Sequence, residues 1–443
     1  ALAGGGSTAL TVAGTTATFA AALPDAVGVG DVLQYDSDGN GSVDAVAFVA
    51  GRTDGQTYTV QDRHGGTPGS VSGDQDWALY RAYDELRLAE RGDENTGIAA
   101  LVRDFDDWSG GINLVTNNWI WNIACYADGV ENSNTTFDGT TTNAACYVRV
   151  FTPHLESQAG ASQRHGGAWD TGAFRIEEQG DCVDIEISHM RWEGVQFRNL
   201  PATWDDNYGL EVQVPGTGEV HISHCLFRGV TNLAQTDWAG VGVENYGAGT
   251  VFLWNNIAFD YEGNSGLRGY LFADPDFTVY AYNNTAVNCT RGFQRSSGLV
   301  RAMNNLTQDC GDGFNGTFDA SSDYNLSDLS GDAPGLNAKN STTVAFEDAG
   351  NHNYHLAAGD TGAQDSGTDL SGDANLAFAD DVDGEIRTGS WDIGADEYVG
   401  AELTPTPTVT RTRTPTPTLT PSSTPTGTPT ATGTRTPTPS ATP

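Results

Sequence analysis

Asp36-Ser-Asp38-Gly-Asn40-Gly41-Ser-Val-Asp44 places a side-chain oxygen at every second position around a turn-forming glycine. Hard oxygen ligands at that spacing suit calcium, and the run matches the opening positions of a calcium loop. The place of the closing bidentate glutamate is taken by Ala47, so the strongest ligand is missing. Two readings follow: calcium held by Asp36, Asp38, Asn40 and Asp44, or an acidic turn between the strand-like stretches Val32 to Tyr35 and Val43 to Val49.

Cleavage of a polysaccharide would need paired carboxylates, usually with an Arg or Lys base, on one face. Asp181, Asp184, Glu186, His189, Arg191 and Glu193 are dense enough to consider, but with 58 acidic residues in the chain such density also arises by chance. No catalytic residue is assigned on this ground. Nucleophile elbows, phosphate loops and dinucleotide fingerprints are absent. Two Arg-His-Gly-Gly runs, from Arg63 and from Arg164, read as turns.

The 58 acidic residues stand against 21 basic ones, Lys339 being the only lysine, and the net charge of -37 argues against a nucleic-acid partner. Such a surface either draws counter-ions, calcium outside the cell being the natural supply, or simply keeps the protein in solution. No apolar run is long enough for a membrane span. The start Ala1-Leu2-Ala3-Gly4 reads as a mature end left after removal of a leader, which predicts secretion to the extracellular space or cell surface. Six cysteines without CxxC or His-Cys metal spacing favour disulfides and an oxidising compartment. The expected pairs, in sequence order, are Cys125 with Cys146, Cys182 with Cys225 and Cys289 with Cys310; the alternative is inert buried thiols.

These groups must be carried by a largely β framework. Residues 1–66 read as a small N-terminal β domain, 67–100 as a segment holding one capping helix over Asp76 to Arg91 stopped by Gly92, 101–402 as a repeat of short strands, and 403–443 as a Thr/Pro-rich tail. The repeat is plainest from residue 219. Val220, Val251, Val279 and Val300 head similar segments at steps of 31, 28 and 21 residues, as expected of equal rungs with loops of variable size. Along them Val220/Ile222, Val251/Leu253, Val279/Ala281 and Val300/Ala302 alternate with a second set containing Phe252, Trp254, Tyr280 and Tyr282. The aliphatic set therefore faces inward, and the aromatic stripe outward as an apolar patch that something must cover. Each of the last three rungs turns at an asparagine pair, Asn255-Asn256, Asn283-Asn284 and Asn304-Asn305. Amides stacked about 4.8 Å apart can bond rung to rung, because each offers a donor and an acceptor. Cys289 and Cys310 each lie five residues beyond such a pair, which places them on neighbouring rungs.

Stacked rungs, Asn ladders and one variable loop per coil resemble the right-handed parallel β-helix family that includes pectate lyases. Trp391-Asp-Ile-Gly-Ala-Asp-Glu-Tyr398 is similar to the DIGAxEY ending of secreted members. The resemblance covers roughly residues 100–398 and implies the fold, all-β with a right-handed parallel β-helix, but no activity.

In the tail, Thr404, Thr406, Thr408, Thr414, Thr416, Thr418, Thr424, Thr426, Thr436 and Thr438 offer hydroxyls for O-glycans along an extended polyproline-type chain. Asn134, Asn315 and Asn340 head sequons, while those at Asn283 and Asn305 fall on the ladder and should stay bare. The expectation from these features is a non-enzymatic secreted structural glycoprotein. Its Arg411, Arg413 and Arg435 would carry the tail onto the aromatic stripe of a neighbouring copy and build a filament. The alternative is a secreted carbohydrate-active enzyme or a glycan-binding module.

Overall fold

In Trp77 and Leu79, alternate side chains of one short stretch are buried to 2% exposure or less, a period of two that only an extended backbone produces. The computed structural model describes residues 1–400 apart from Ser7, 107–110, 203–205, 215, 233, 236, 245–246 and 265. In it Ala78–Tyr80 is a strand paired with Val32–Tyr35. The helix expected from Asp76 is confined to its last part, α1 (Leu86–Arg91), closed by Gly92 in the left-handed region as expected. The misread segment carries its apolar residues at both helical and strand spacing. The strand prevails because it completes an eight-stranded antiparallel sheet around Leu10, Phe19, Tyr35 and Tyr58. That sheet reaches Tyr80, beyond the expected edge at residue 66.

From Trp121 the chain visits three parallel sheets in turn, of seven, nine and seven strands. One coil runs Thr250–Trp254 in the first sheet, Ile257–Phe259 in the second and Leu267–Phe272 in the third, then returns to the first at Thr278–Tyr282. The all-β architecture of stacked parallel sheets is compatible with a β-helix. The repeat register is the one the spacing predicts: Val220, Val251, Val279 and Val300 are partners in successive strands. The inward set from Val220 to Ala302 is no more than 1% exposed. One coil earlier, His189–Glu193 pairs with Glu219–Ser223 in the first sheet, whereas Val183–Ile185 belongs to the third. Aromatic rings also stack from coil to coil inside, with Tyr270, Phe293 and Phe314 at centroid separations of 4.6 and 5.2 Å.

The corner between the first and second sheets is fully buried, so its backbone donors need partners within the protein. Asn255, Asn283 and Asn304 take φ near +50° there, a conformation asparagine tolerates better than other side chains. The second member of each pair builds the ladder. Asn256 Nδ2 donates to Asn284 Oδ1 at 2.9 Å, Asn284 to Asn305 at 3.1 Å and Asn305 to Asn325 at 3.0 Å. Each Oδ1 also accepts the backbone N–H of the preceding rung, so Asn325 ends a column that Cys225 begins.

All six cysteines are buried free thiols in the structure. Cys289 and Cys310 occupy equivalent places, each two residues past the partnered Val287 and Gln308. Cys125 and Cys146 do not. Cys125 follows the C-terminal end of strand Trp121–Ala124, and Cys146 precedes the N-terminal end of its parallel partner Val148–Phe151. About six residues of strand, or roughly 20 Å, separate the two levels, which rules that bridge out. Cys182 and Cys225 stand at different corners, one leading into the third sheet and one between the first and second. Sequence order misleads because the coils vary in length.

Asn284→Ala would leave Asn256 Nδ2, the Asn256 backbone N–H and the carbonyl of Leu253 without their partner. We expect it to lower the unfolding free energy by about 3–5 kcal/mol in chemical denaturation. A loss below about 1 kcal/mol would show that the ladder is not structural.

Candidate functional site

The expected acidic site at residues 181–193 does not form on one face. Asp184 lies in the third sheet, where its carboxylate accepts from Thr136 at 3.0 Å, while His189, Arg191 and Glu193 lie in the first. Glu193 is gripped by Arg149 through two bonds, at 2.9 and 2.5 Å, and Arg191 lies over the ring of Tyr147.

The aromatic stripe does point away from the interior, but the same chain covers it. Phe252, Trp254, Tyr280 and Tyr282 pack with Met303 against Leu370, Leu376, Phe378 and Trp391, and Tyr282 is wholly buried. The stripe is therefore largely a seam within the chain, with Phe252 and Tyr282 buried and Trp254 and Tyr280 still partly exposed. The cover comes from residues 370–391. Residues 401–443, and with them every predicted tail glycosylation site and Arg411, Arg413 and Arg435, lie outside the described residues.

The covering strap is held by Arg387, whose side chain is fully buried. It donates to the carbonyls of Asp380 at 2.9 Å and Ala395 at 2.7 Å, to Asn255 Oδ1 at 3.1 Å and to Glu397 Oε2 at 3.3 Å. The motif of residues 391–398 is thus a clasp. Asp392 accepts the N–H groups of Asp365 and Tyr398, Asp396 that of Leu356, and Glu397 those of Thr388 and Asp392. Burial pushes the Asp392 carboxyl up to about 7. Gly394 sits at φ +106° where a Cβ would come within 2.9 Å of Thr285 Oγ1, so the clasp needs glycine there.

The Asp36 turn is a hairpin connection between Val32–Tyr35 and Ala45–Arg52. Asp36, Asp38 and Asp44 bring one carboxylate oxygen each within 4.8 Å of one another. Asp36 accepts the N–H groups of Asp38, Gly39 and Gly41, and these donors outweigh its desolvation and hold its carboxyl below the usual range. Asn40 turns its amide to Asp38 at 2.9 Å, and Asp44 accepts from Ser37. Ala47 is buried and supplies no ligand, so the donors fit the early positions of a calcium loop and not its closing one.

A concave surface lies where the N-terminal sheet meets the first coils. Their joint is Arg81, which bonds Asp31 and Asp128 at 2.6 Å each and lies 3.5 Å over the ring of Tyr126. Burial raises the Asp31 carboxyl to about 7 despite Arg81. Beside this joint runs a groove of about 680 Å³, lined by Tyr83, Trp121, Asn122, Arg52, Arg63 and Arg149 among others. Arg52 and Arg149 are already engaged with Asp25 and Glu193. Arg63 is exposed, donates to the carbonyl of Phe105 at 3.4 Å and forms no ion pair among the described residues. Asp106 lines the same groove, and burial pushes its carboxyl up to about 7 against the pull of Arg63. On the adjoining surface Trp119 stacks on His64 at 4.8 Å. Sequence reasoning missed the groove because its walls come from segments on both sides of the joint; the turn at Arg63 was its one visible trace.

No family model matches the chain, and no curated protein is detectably similar to it.

Calorimetry at millimolar calcium should detect one ion at the Asp36 turn, with a dissociation constant of about 10⁻⁴–10⁻³ M as in sites short of ligands. Asp38→Asn should abolish the signal. No heat from the unmodified protein would make the stretch an ordinary acidic turn.

Proposed function

We propose that the protein is a secreted, right-handed parallel β-helix glycoprotein that binds acidic glycans in the groove between its N-terminal sheet and its first coils. The observation that carries the reading is Arg63, an arginine without a carboxylate partner among the described residues, beside the rings of Tyr83 and Trp121 in a chain of net charge -37. Guanidinium groups pair with carboxylates and sulfates in planar fashion, and flanking rings offer faces on which sugars stack. Asn122 and Gln61 add amides for hydroxyl groups. Asp62 and Asp106 both line the groove, so cleavage is the second reading, and its products distinguish it from binding. A structural, self-assembling role rests on the tail alone, now that the aromatic stripe is occupied.

Secretion is supported by the placement of Cys289 and Cys310. Neighbouring strands put their Cα atoms about 4.8 Å apart, inside the range a disulfide spans. Non-reducing peptide mapping should find these two linked and Cys125, Cys146, Cys182 and Cys225 as thiols. A Cys125–Cys146 linkage would contradict the register of the first coils.

Titration calorimetry with a polyuronate and a neutral glucan tests the groove. Binding of the polyuronate alone is expected, weakened about 10–100-fold by Arg63→Ala through loss of a charge-assisted bond, and weakened also by Trp121→Ala. Because Asp106 is neutral below about pH 7 and anionic above it, affinity for an acidic chain should fall as pH rises through 7. Equal binding by Arg63→Ala, or no binding of either polymer, would overturn the proposal. New reducing or unsaturated ends in the incubated polymer would replace binding by cleavage.

A further inference from the structure

Where the strap crosses the corner of the coils, His355, Asp383 and Asp396 converge, each offering one ligand atom within 4.8 Å of the others. We infer that this triad is a binding site for a divalent transition-metal ion, zinc being the best fit, which pins the C-terminal strap to the strand Asn353–Leu356. The inference is independent of the glycan reading.

The imidazole is set up as a ligand. Its Nδ1 lies 2.5 Å from Asn353 Oδ1 and so serves as the donor, which leaves Nε2 facing the carboxylates. Nε2 is 3.4 Å from Asp383 Oδ2 and 3.9 Å from Asp396 Oδ1. A tetrahedral ion with bonds of about 2.0–2.1 Å needs ligand atoms about 3.3 Å apart, which Asp383 nearly meets and Asp396 would reach by moving about 0.6 Å toward Nε2.

One buried carboxylate oxygen here lacks an N–H donor, and another faces the imidazole. The Asp396 side chain is only 8% exposed and spends Oδ2 on the N–H of Leu356, while its Oδ1 lies 3.9 Å from Nε2. Asp383 Oδ1 is buried and accepts from no N–H group, its nearest polar neighbour being the carboxyl of Asp381. Buried acceptors left in this way are costly unless a cation completes them.

The space before Nε2 is also kept free of carbon. Gly167, in the second Arg-His-Gly-Gly run, takes φ +74°, and a Cβ there would sit 2.3 Å from His355 Nε2. The loop carrying Asp383 is fixed by Asp381, whose Oδ1 accepts the N–H groups of Asp383, Gly384 and Glu385. One imidazole with two carboxylates suits zinc-class ions, whereas calcium prefers oxygen alone.

The full chain, stripped with a chelator and dialysed, should take up one Zn²⁺ per molecule by elemental analysis, and Co²⁺ should give a visible d–d spectrum. Thermal melting should shift upward with added Zn²⁺. His355→Gln and Asp383→Asn should each weaken Zn²⁺ binding about 100-fold, and Asn353→Ala, which removes the bond orienting the ring but no ligand, about 10-fold. Should His355→Gln fail to fold, the partly exposed Asp383→Asn carries the comparison. No Zn²⁺ or Co²⁺ uptake by the unmodified chain, or uptake equal in both site variants, would make the triad an ordinary ion pair of a protonated histidine and overturn the inference.

Discussion

The buried corner between the first and second sheets is the constraint on which the rest depends. A coil that turns there leaves backbone N–H groups with no water and no strand partner, and an unpaired buried donor costs about 1–3 kcal/mol. Asparagine answers both halves of the problem. The first member of each pair takes the left-handed backbone that makes the bend, and the second stacks its amide on the next rung while accepting a backbone N–H. A slip in register would break every rung of the column together, so the ladder also fixes which residues face inward.

The outer asparagines extend that order to the surface. Asn255, Asn283 and Asn304 donate to the carbonyls of Asp380, Asp392 and Thr368, so the bends serve as docking posts for the strap. Arg387 and the acids of residues 391–398 then close the strap on itself. Its hydrophobic side chains seal the aromatic stripe that the alternation of the strands necessarily turns outward. Acidity at this end of the chain is thus largely structural: the carboxylates accept from backbone donors that have no strand to join.

Periodic features were legible and long-range ones were not. The rung spacing, the inward valines and the Asn pairs are local patterns repeated three or four times, and repetition distinguishes them from chance. The contact of Asn255 with Asp380 spans 125 residues and has no local signature, so the cover of the stripe and the role of Arg387 could not be read. The start of α1 was misplaced because Trp77, Leu79 and Tyr83 satisfy two periods at once. The bridge expected between Cys125 and Cys146 failed because sequence order says nothing about level along a strand. At the candidate site, the Asp36 turn was visible as a motif. Arg63, Tyr83, Asp106 and Trp121 become neighbours only when the N-terminal sheet docks on the coils through Arg81.

The groove is also where this acidic chain departs from its own charge pattern, and that departure is the core of the functional account. A crystal structure of the full chain soaked with an acidic oligosaccharide tests it most directly. The account predicts density along the groove, with a carboxylate or sulfate on Arg63 and a sugar face on Trp121 or Tyr83. Density confined to another surface, or an empty groove at saturating ligand, would contradict it.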